Sequence, residues 1–331
     1  MKKIYIQDHS TITGAGKWIY EGYKKAWESL GYEAEYIYGE DKELIEMIEK
    51  ANRKEEYSFM ITDGFYNLLR CERFPEEVDK PYFESLVKTK IIDNSKAIYM
   101  FSQPTNFPDP WGTHPNFVSA CPHDVIDEIN QIDNIKSWTW GDFEKVKDDF
   151  YSSWDNINKI PLAFDNISYK YLEDEKYKFD VCFVGGRANN GFDEKYSIMM
   201  EHFSAFKGSS LKCGFFVGRN LTHEQENKIL FNSKVSINIH DAYQRKLGLD
   251  TNERTFKSLG LTGVLVSDKI EQINNLFPDV KTTNDAKEMV KFVKEYVNMP
   301  EKELQKIKTE NRKLILEKHT YTNRVKQLLD L

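Results

Sequence analysis

The sequence predicts an α/β fold made of two doubly wound domains, each a parallel sheet covered by helices on both faces. Three observations carry this. Short apolar runs alternate with stretches of helical period over most of the chain, the pattern of β-α-β units. The 331 residues exceed the roughly 100–200 that one domain usually holds. The alternation also breaks off in an aromatic, charged segment from Trp138 to Trp154 and restarts near residue 165.

In chain order, Lys3 to Gln7 reads as the first strand and residues 17–30 as its helix, with Trp18, Ile19, Tyr23, Ala26, Trp27 and Leu30 on one face and Gly31 closing it. Strands follow at 33–38, 58–62 and 96–101, with a helix at 41–51 and a fifth strand at 116–120. In the second half, strands are expected at 179–184, 212–217, 235–239 and 264–266, and helices at 193–206, 223–231 and 255–259. Helices at 270–276, 286–298 and 301–329 end the chain, the last read as continuous.

Composition narrows the function classes. Forty per cent hydrophobic residues suit folded cores, and a net charge of -7 argues against a general binder of phosphate backbones, although residues 281–331 carry 12 Lys and Arg against 8 Asp and Glu. Cys71, Cys121, Cys182 and Cys213 form no CxxC pair or Cys-His cluster, so no metal site is expected and a reducing cytoplasm fits best. Neither a leader pattern nor an apolar run of membrane-spanning length is present. The loop Gly14-Ala15-Gly16-Lys17 is too short for a Walker loop and lacks the dinucleotide fingerprint, which sets aside ATP and NAD cradles.

The chain is organised around residues 234–268, a buried strand, a polar loop ending in Asn252-Glu253-Arg254, a short helix and a second buried strand. Ligand loops of such units lie at the carboxyl ends of strands. FDVCFVGG, KVSINIH, NERTFKSLGLTGVLVSD and the terminal HTYTNRV, in that order, resemble the carboxyl half of the CgeB-like glycosyltransferases of the GT-B superfamily, over residues 178–331. The amino half matches only in its Rossmann-like pattern.

The resemblance implies a GT-B architecture: an acceptor domain over 1–164, a nucleotide-sugar donor domain over 165–310, a cleft between them, and a terminal helix at 311–331 returning to the first. It implies transfer of a sugar from a nucleoside-diphosphate donor, most simply a UDP-sugar, to a hydroxyl acceptor, with no metal or other cofactor required. The acceptor stays open among a polysaccharide, a protein and a hydroxymethylated DNA base, as do the stereochemical course and the oligomeric state. A non-catalytic nucleotide- or sugar-binding protein on the same fold is the alternative.

For the donor, the resemblance points to Gly16, Gly186, Arg187, Asn238, His240, Asp241, Asn252, Glu253, Arg254 and Thr255. Arg254 would meet the diphosphate at a helix start, with a surface Arg paired to Glu253 as the competing reading. Arg187 or Lys195 would add charge beside the Gly185-Gly186 turn. One departure stands out: Lys257 occupies the position where the family carries a ribose-holding Glu, and an ammonium accepts no hydrogen bond. Either Glu253 supplies that carboxylate or the donor is held differently. In the first domain Asp8, His9, Asp63 and His123 each follow a strand and are candidate bases for an inverting reaction, loop capping being the competing role. Trp111, Trp138, Trp140 and Trp154 are read either as packing or as stacking surfaces for an acceptor.

Overall fold

The computed structural model describes residues 2–7, 15–37, 56–68, 88–104, 121–186 and 194–331. Contacts divide the chain into two compact units, one of Met1–Ile160 with Val325–Leu331 and one of Pro161–Arg324. The expected helix at 41–51 and strand at 116–120 lie outside the described residues, as do Cys71 and Trp111.

Among the described residues, the first unit holds a six-stranded sheet in the order β2-β1-β3-β4-β5-β6, from β1 (Lys2–Gln7), β2 (Glu33–Ile37), β3 (Glu56–Thr62), β4 (Ser95–Phe101), β5 (Ile135–Thr139) and β6 (Asn158–Lys159), every pairing parallel. Tyr5, Phe59, Ile61, Ile98 and Met100 join Val125, Ile126 and Ile129 of the helix His123–Asn130 in one core. The sequence pattern predicts no strand at β5, whose IKSWT carries Lys, Ser and Thr. Trp138 nevertheless seats it, fully buried against Phe101 at 5.1 Å and Tyr23 at 5.7 Å.

The second unit repeats the design with β7 (Val181–Gly185), β8 (Cys213–Val217), β9 (Val235–Asn238), β10 (Leu265–Ser267) and β11 (Lys281–Thr282), ordered β11-β10-β9-β7-β8, again all parallel. A strand covered on both faces reads as an unbroken apolar run. Val181 through Val184 are accordingly all buried, with Phe183 packed against Phe203 of the helix Glu194–Ala205.

Two helical expectations are corrected. The helix opening at Glu253 runs only to Lys257 and then widens into a π-helical segment, Ser258–Thr262, which Gly263 closes at φ +80. A β-carbon on Gly263 would also stand 2.7 Å from the Lys308 backbone, so two constraints favour glycine there.

The terminal helix is two helices, Glu301–Lys318 and Tyr321–Leu329. It breaks because Phe164 donates its N–H to the His319 carbonyl at 2.8 Å and accepts from the Tyr321 N–H at 3.2 Å, drawing the chain into a bridge. Asn323 Oδ1 then accepts from the Thr320 N–H at 2.9 Å, and Thr320 Oγ1 accepts from the Asn323 N–H at 3.2 Å to start the second helix. His319, Thr320, Tyr321 and Arg324 therefore form a corner rather than a stripe on one helix. Arg324 donates to the Leu162 carbonyl at 3.1 Å and to His319 Nδ1 at 2.9 Å.

Candidate functional site

In an open parallel sheet the ligand crevice forms where the strand order reverses, at the carboxyl ends of the strands. In the second unit β7 lies between β8 and β9, so the reversal falls between Gly185, which ends β7, and Asn238, which ends β9. The helix Glu253–Lys257 starts at this edge after a loop that contains a further helix, Ala242–Leu247, where the sequence reading expected only polar loop.

Arg254 is the central group. Its Nε donates to the Val184 carbonyl at 2.6 Å, and its Nη1 donates to Asn238 Oδ1 at 2.6 Å and to the Ile239 carbonyl at 3.4 Å. The guanidinium lies 4.7 Å above the Phe183 ring. Nη2 makes none of these bonds and rests over the Gly185 backbone, where a β-carbon would stand 2.0 Å from it. Glycine at 185 is thus what lets the guanidinium lie across the strand end. The proposed pair between Arg254 and Glu253 does not form: adjacent side chains on a helix diverge, and Glu253 faces Lys257 at i+4 instead.

The surrounding polar residues aim Arg254. Asn238, fully buried, accepts from it and donates through Nδ2 to Asn252 Oδ1 at 2.9 Å and Thr255 Oγ1 at 3.0 Å. His240 is also fully buried; its Nδ1 pairs with Asp268 Oδ1 at 2.6 Å and its Nε2 with Thr251 Oγ1 at 2.8 Å, while its backbone N–H donates to Asp268 Oδ2 at 2.9 Å. Both ring nitrogens are engaged inside the protein, so His240 braces the edge and does not present a nitrogen to a ligand. Burial alone would raise the Asp268 carboxyl, but His240 beside it outweighs this and holds it below the ordinary range. Asp268 was missed from sequence because it lies 28 residues away; an acid directly after the buried run VLVS was the available signal.

Lys195, one residue into the helix Glu194–Ala205, is buried and donates to Asp241 Oδ1 at 2.5 Å. Burial first, and then the Arg254 charge, lower its pKa, which places the two cations in one field. Gly186 is exposed at the end of β7, and Arg187 lies outside the described residues.

On the inner side of the same helix, Lys257 donates to Glu226 Oε1 at 2.8 Å and to the Tyr169 hydroxyl at 3.3 Å, and Tyr169 donates to Glu226 Oε2 at 2.7 Å. Lys257 thus spends its charge inside the protein. Glu253, 4% exposed, stands 3.7 Å from that ammonium, and its Oε1 has no hydrogen-bond partner among the described residues. Burial pushes its carboxyl up to about 7, Glu226 and Asp165 adding to the rise while Lys257 and Arg254 oppose it.

At the carboxyl edge of the first unit, Asp63 is fully buried and accepts from the N–H groups of Gly64 at 2.6 Å and Gln103 at 2.9 Å. It ties the end of β3 to the end of β4, and burial pushes its carboxyl up to about 6. That closed environment corrects the reading of Asp63 as an accessible base. Asp8 and His9 lie outside the described residues, and Gly16 sits in the first turn of the helix Ala15–Ser29. His123 is exposed and meets Ser153 Oγ through Nδ1 at 2.5 Å. Trp138 and Trp154 are core residues, and Trp140 packs on Phe101 at 4.2 Å.

Among the described residues, no group of three or more His, Cys, Asp or Glu is placed to hold a metal ion, and no helix is long and apolar enough to cross a membrane.

Comparison with known proteins agrees with this architecture. The profile of a family described as glycosyl transferase-like matches residues 174–330. No curated protein sequence matches significantly. Solved structures that match over the whole chain include the following three. An alpha-glucosyltransferase bound to UDP and a 13-mer DNA with a central A:G mismatch is 12% identical, matches over 99% of its own length and has a TM-score of 0.58. The trehalose 6-phosphate synthase of Burkholderia multivorans is 9% identical over 97% of its length, with a TM-score of 0.55. The T4 phage BGT, in complex with its UDP-glucose substrate, is 11% identical over 100% of its length, with a TM-score of 0.52. Together with the two parallel-sheet units, these likenesses show that the chain has the GT-B fold.

Proposed function

We propose that this GT-B chain is a glycosyltransferase of the CgeB-like branch, moving a sugar from a nucleoside-diphosphate donor, UDP-linked by preference, to a hydroxyl acceptor without a metal ion. The observation that carries this reading is Arg254, whose guanidinium is fixed by Val184 and Asn238 while Nη2 lies over Gly185 at the strand reversal. In the transfer, the bond from the anomeric carbon to the diphosphate breaks with its electron pair on phosphate oxygen. The acceptor oxygen bonds to that carbon, and its proton passes to a base in an inverting course or to the departing phosphate oxygen in a retaining one. Negative charge therefore grows on the diphosphate, where Arg254, the neighbouring Lys195 and the backbone beside Gly186 would stabilise it.

Asn238, Asn252 and Thr255 fit a role in aiming Arg254, and Asp241 and His240 fit one behind them. Of the candidate bases, Asp8, His9 and His123 remain for an inverting course. The acceptor is a hydroxyl compound, and the three classes to offer are a glycan, a protein and hydroxymethylated DNA. The DNA-bound alpha-glucosyltransferase supports including the last, whereas the net charge of -7 weighs against it.

Thermal melting with a panel of nucleoside diphosphates and nucleotide-sugars tests the donor reading. UDP or a UDP-sugar is expected to raise the melting temperature, and Arg254→Ala to abolish the rise. No rise with any member of the panel contradicts the proposal. Lys257, ion-paired in the interior where the resemblance places a ribose-holding Glu, favours the second reading of a binding protein without turnover; donor binding with neither hydrolysis nor transfer would select it.

A further inference from the structure

We propose that the donor diphosphate binds this edge together with a proton, and that Glu253 takes the proton up. The inference rests on the donor reading above and concerns a group that reading leaves without a task.

Glu253 is buried, yet one of its carboxylate oxygens has no hydrogen-bond partner among the described residues. The cation facing it, Lys257, is 3.7 Å away and already committed to Glu226 at 2.8 Å. The other charged and titratable groups acting on it come from each neighbouring element: Arg254 from its own helix, Glu226 from the helix His223–Asn232, and Asp165 with Tyr169 from the segment that opens the second unit. Glu226 and Asp165 oppose ionisation of Glu253, Lys257 at 3.7 Å favours it, and Arg254, the next residue of the same helix, adds a weaker positive influence in the same sense.

An anion bound at Arg254 cancels that influence. The field at Glu253 then turns more negative, its carboxyl holds a proton more tightly, and binding draws a proton from solvent. Because the unliganded carboxyl already titrates at about 7, the uptake falls where nucleotide binding is ordinarily measured. Linkage requires the reciprocal effect, a loss of affinity as rising pH strips the proton, by up to about tenfold per pH unit.

Calorimetric titration with UDP between about pH 7 and 8.5, in two buffers of different ionisation enthalpy, tests this. A terminal phosphate with a second pKa near 6 is already ionised over that range. The wild-type protein is expected to take up a fraction of a proton per UDP bound and to weaken as pH rises. Glu253→Gln is expected to bind UDP with no proton uptake and little pH dependence, which also separates Glu253 from any titration of Lys195. Wild-type binding with no buffer dependence overturns the inference without recourse to a variant. So does an uptake that persists unchanged in Glu253→Gln. UDP that fails to bind at any pH removes the donor reading as well, so the two failures are distinguishable.

Discussion

Replacing Gly185 by Ala probes the way Arg254 is seated. The new β-carbon would stand 2.0 Å from Nη2 and 2.5 Å from Cζ of Arg254, inside any allowed contact. The guanidinium is the end of a flexible side chain and can swing away, so the protein survives. It then gives up its bonds to the Val184 carbonyl and Asn238 Oδ1. Hydrogen bonds to charged groups are each worth about 1.5–3 kcal/mol, and solvation of the displaced cation recovers part of this, so a stability loss of about 1–3 kcal/mol is expected. UDP affinity is expected to fall as well, by about tenfold to a hundredfold, or about 1.4–2.7 kcal/mol. Chemical denaturation gives the first quantity and calorimetric titration the second. In an Arg254→Ala background the group that the new methyl displaces is absent, so adding Gly185→Ala should cost no further affinity. Unchanged UDP binding in Gly185→Ala, or a penalty that persists without Arg254, refutes the reasoning.

Other substitutions test the buried charges. Lys257→Met leaves Glu226 and Glu253 without their shared cation and should cost about 3–5 kcal/mol in denaturant unfolding, because a buried charge without its partner is strongly unfavourable. Glu253 has a folded pKa raised to about 7 from an ordinary 4.5, so the fold loses stability as pH rises between those values; Glu253→Gln should remove that slope and gain about 2–3 kcal/mol at pH 8. His319 behaves in the opposite sense. Burial first, then Arg324, lowers its pKa to about 4 from 6.5, so the unfolded chain binds the proton more readily. Stability should fall by about 2–3 kcal/mol as pH drops through that window, and His319→Gln should flatten the melting profile there.

The parallel sheets were legible in the sequence because strands buried on both faces leave continuous apolar runs, as in FDVCFV. The strands β5, β6 and β11 were not: β6 and β11 have two residues each, and β5 is apolar at little more than Trp138. The break at His319 has no local signature either, since it depends on Phe164, far away in sequence. At the site, the position of Arg254 could be read from its place after a strand and before a helix. Its true acceptors, Val184 and Asn238, and the clamp between His240 and Asp268 could not, because they join segments separated by 16 to 70 residues.

Release of UDP from UDP-sugars, compared between the wild-type protein and Arg254→Ala, tests the central claim most directly. The wild-type protein is expected to release UDP, by transfer or by slow hydrolysis, and the variant to lose that release by about a hundredfold or more, the range seen when one preorganised charge-stabilising donor is removed. Equal release by the two proteins, or none from any UDP-sugar by the wild type, would contradict it.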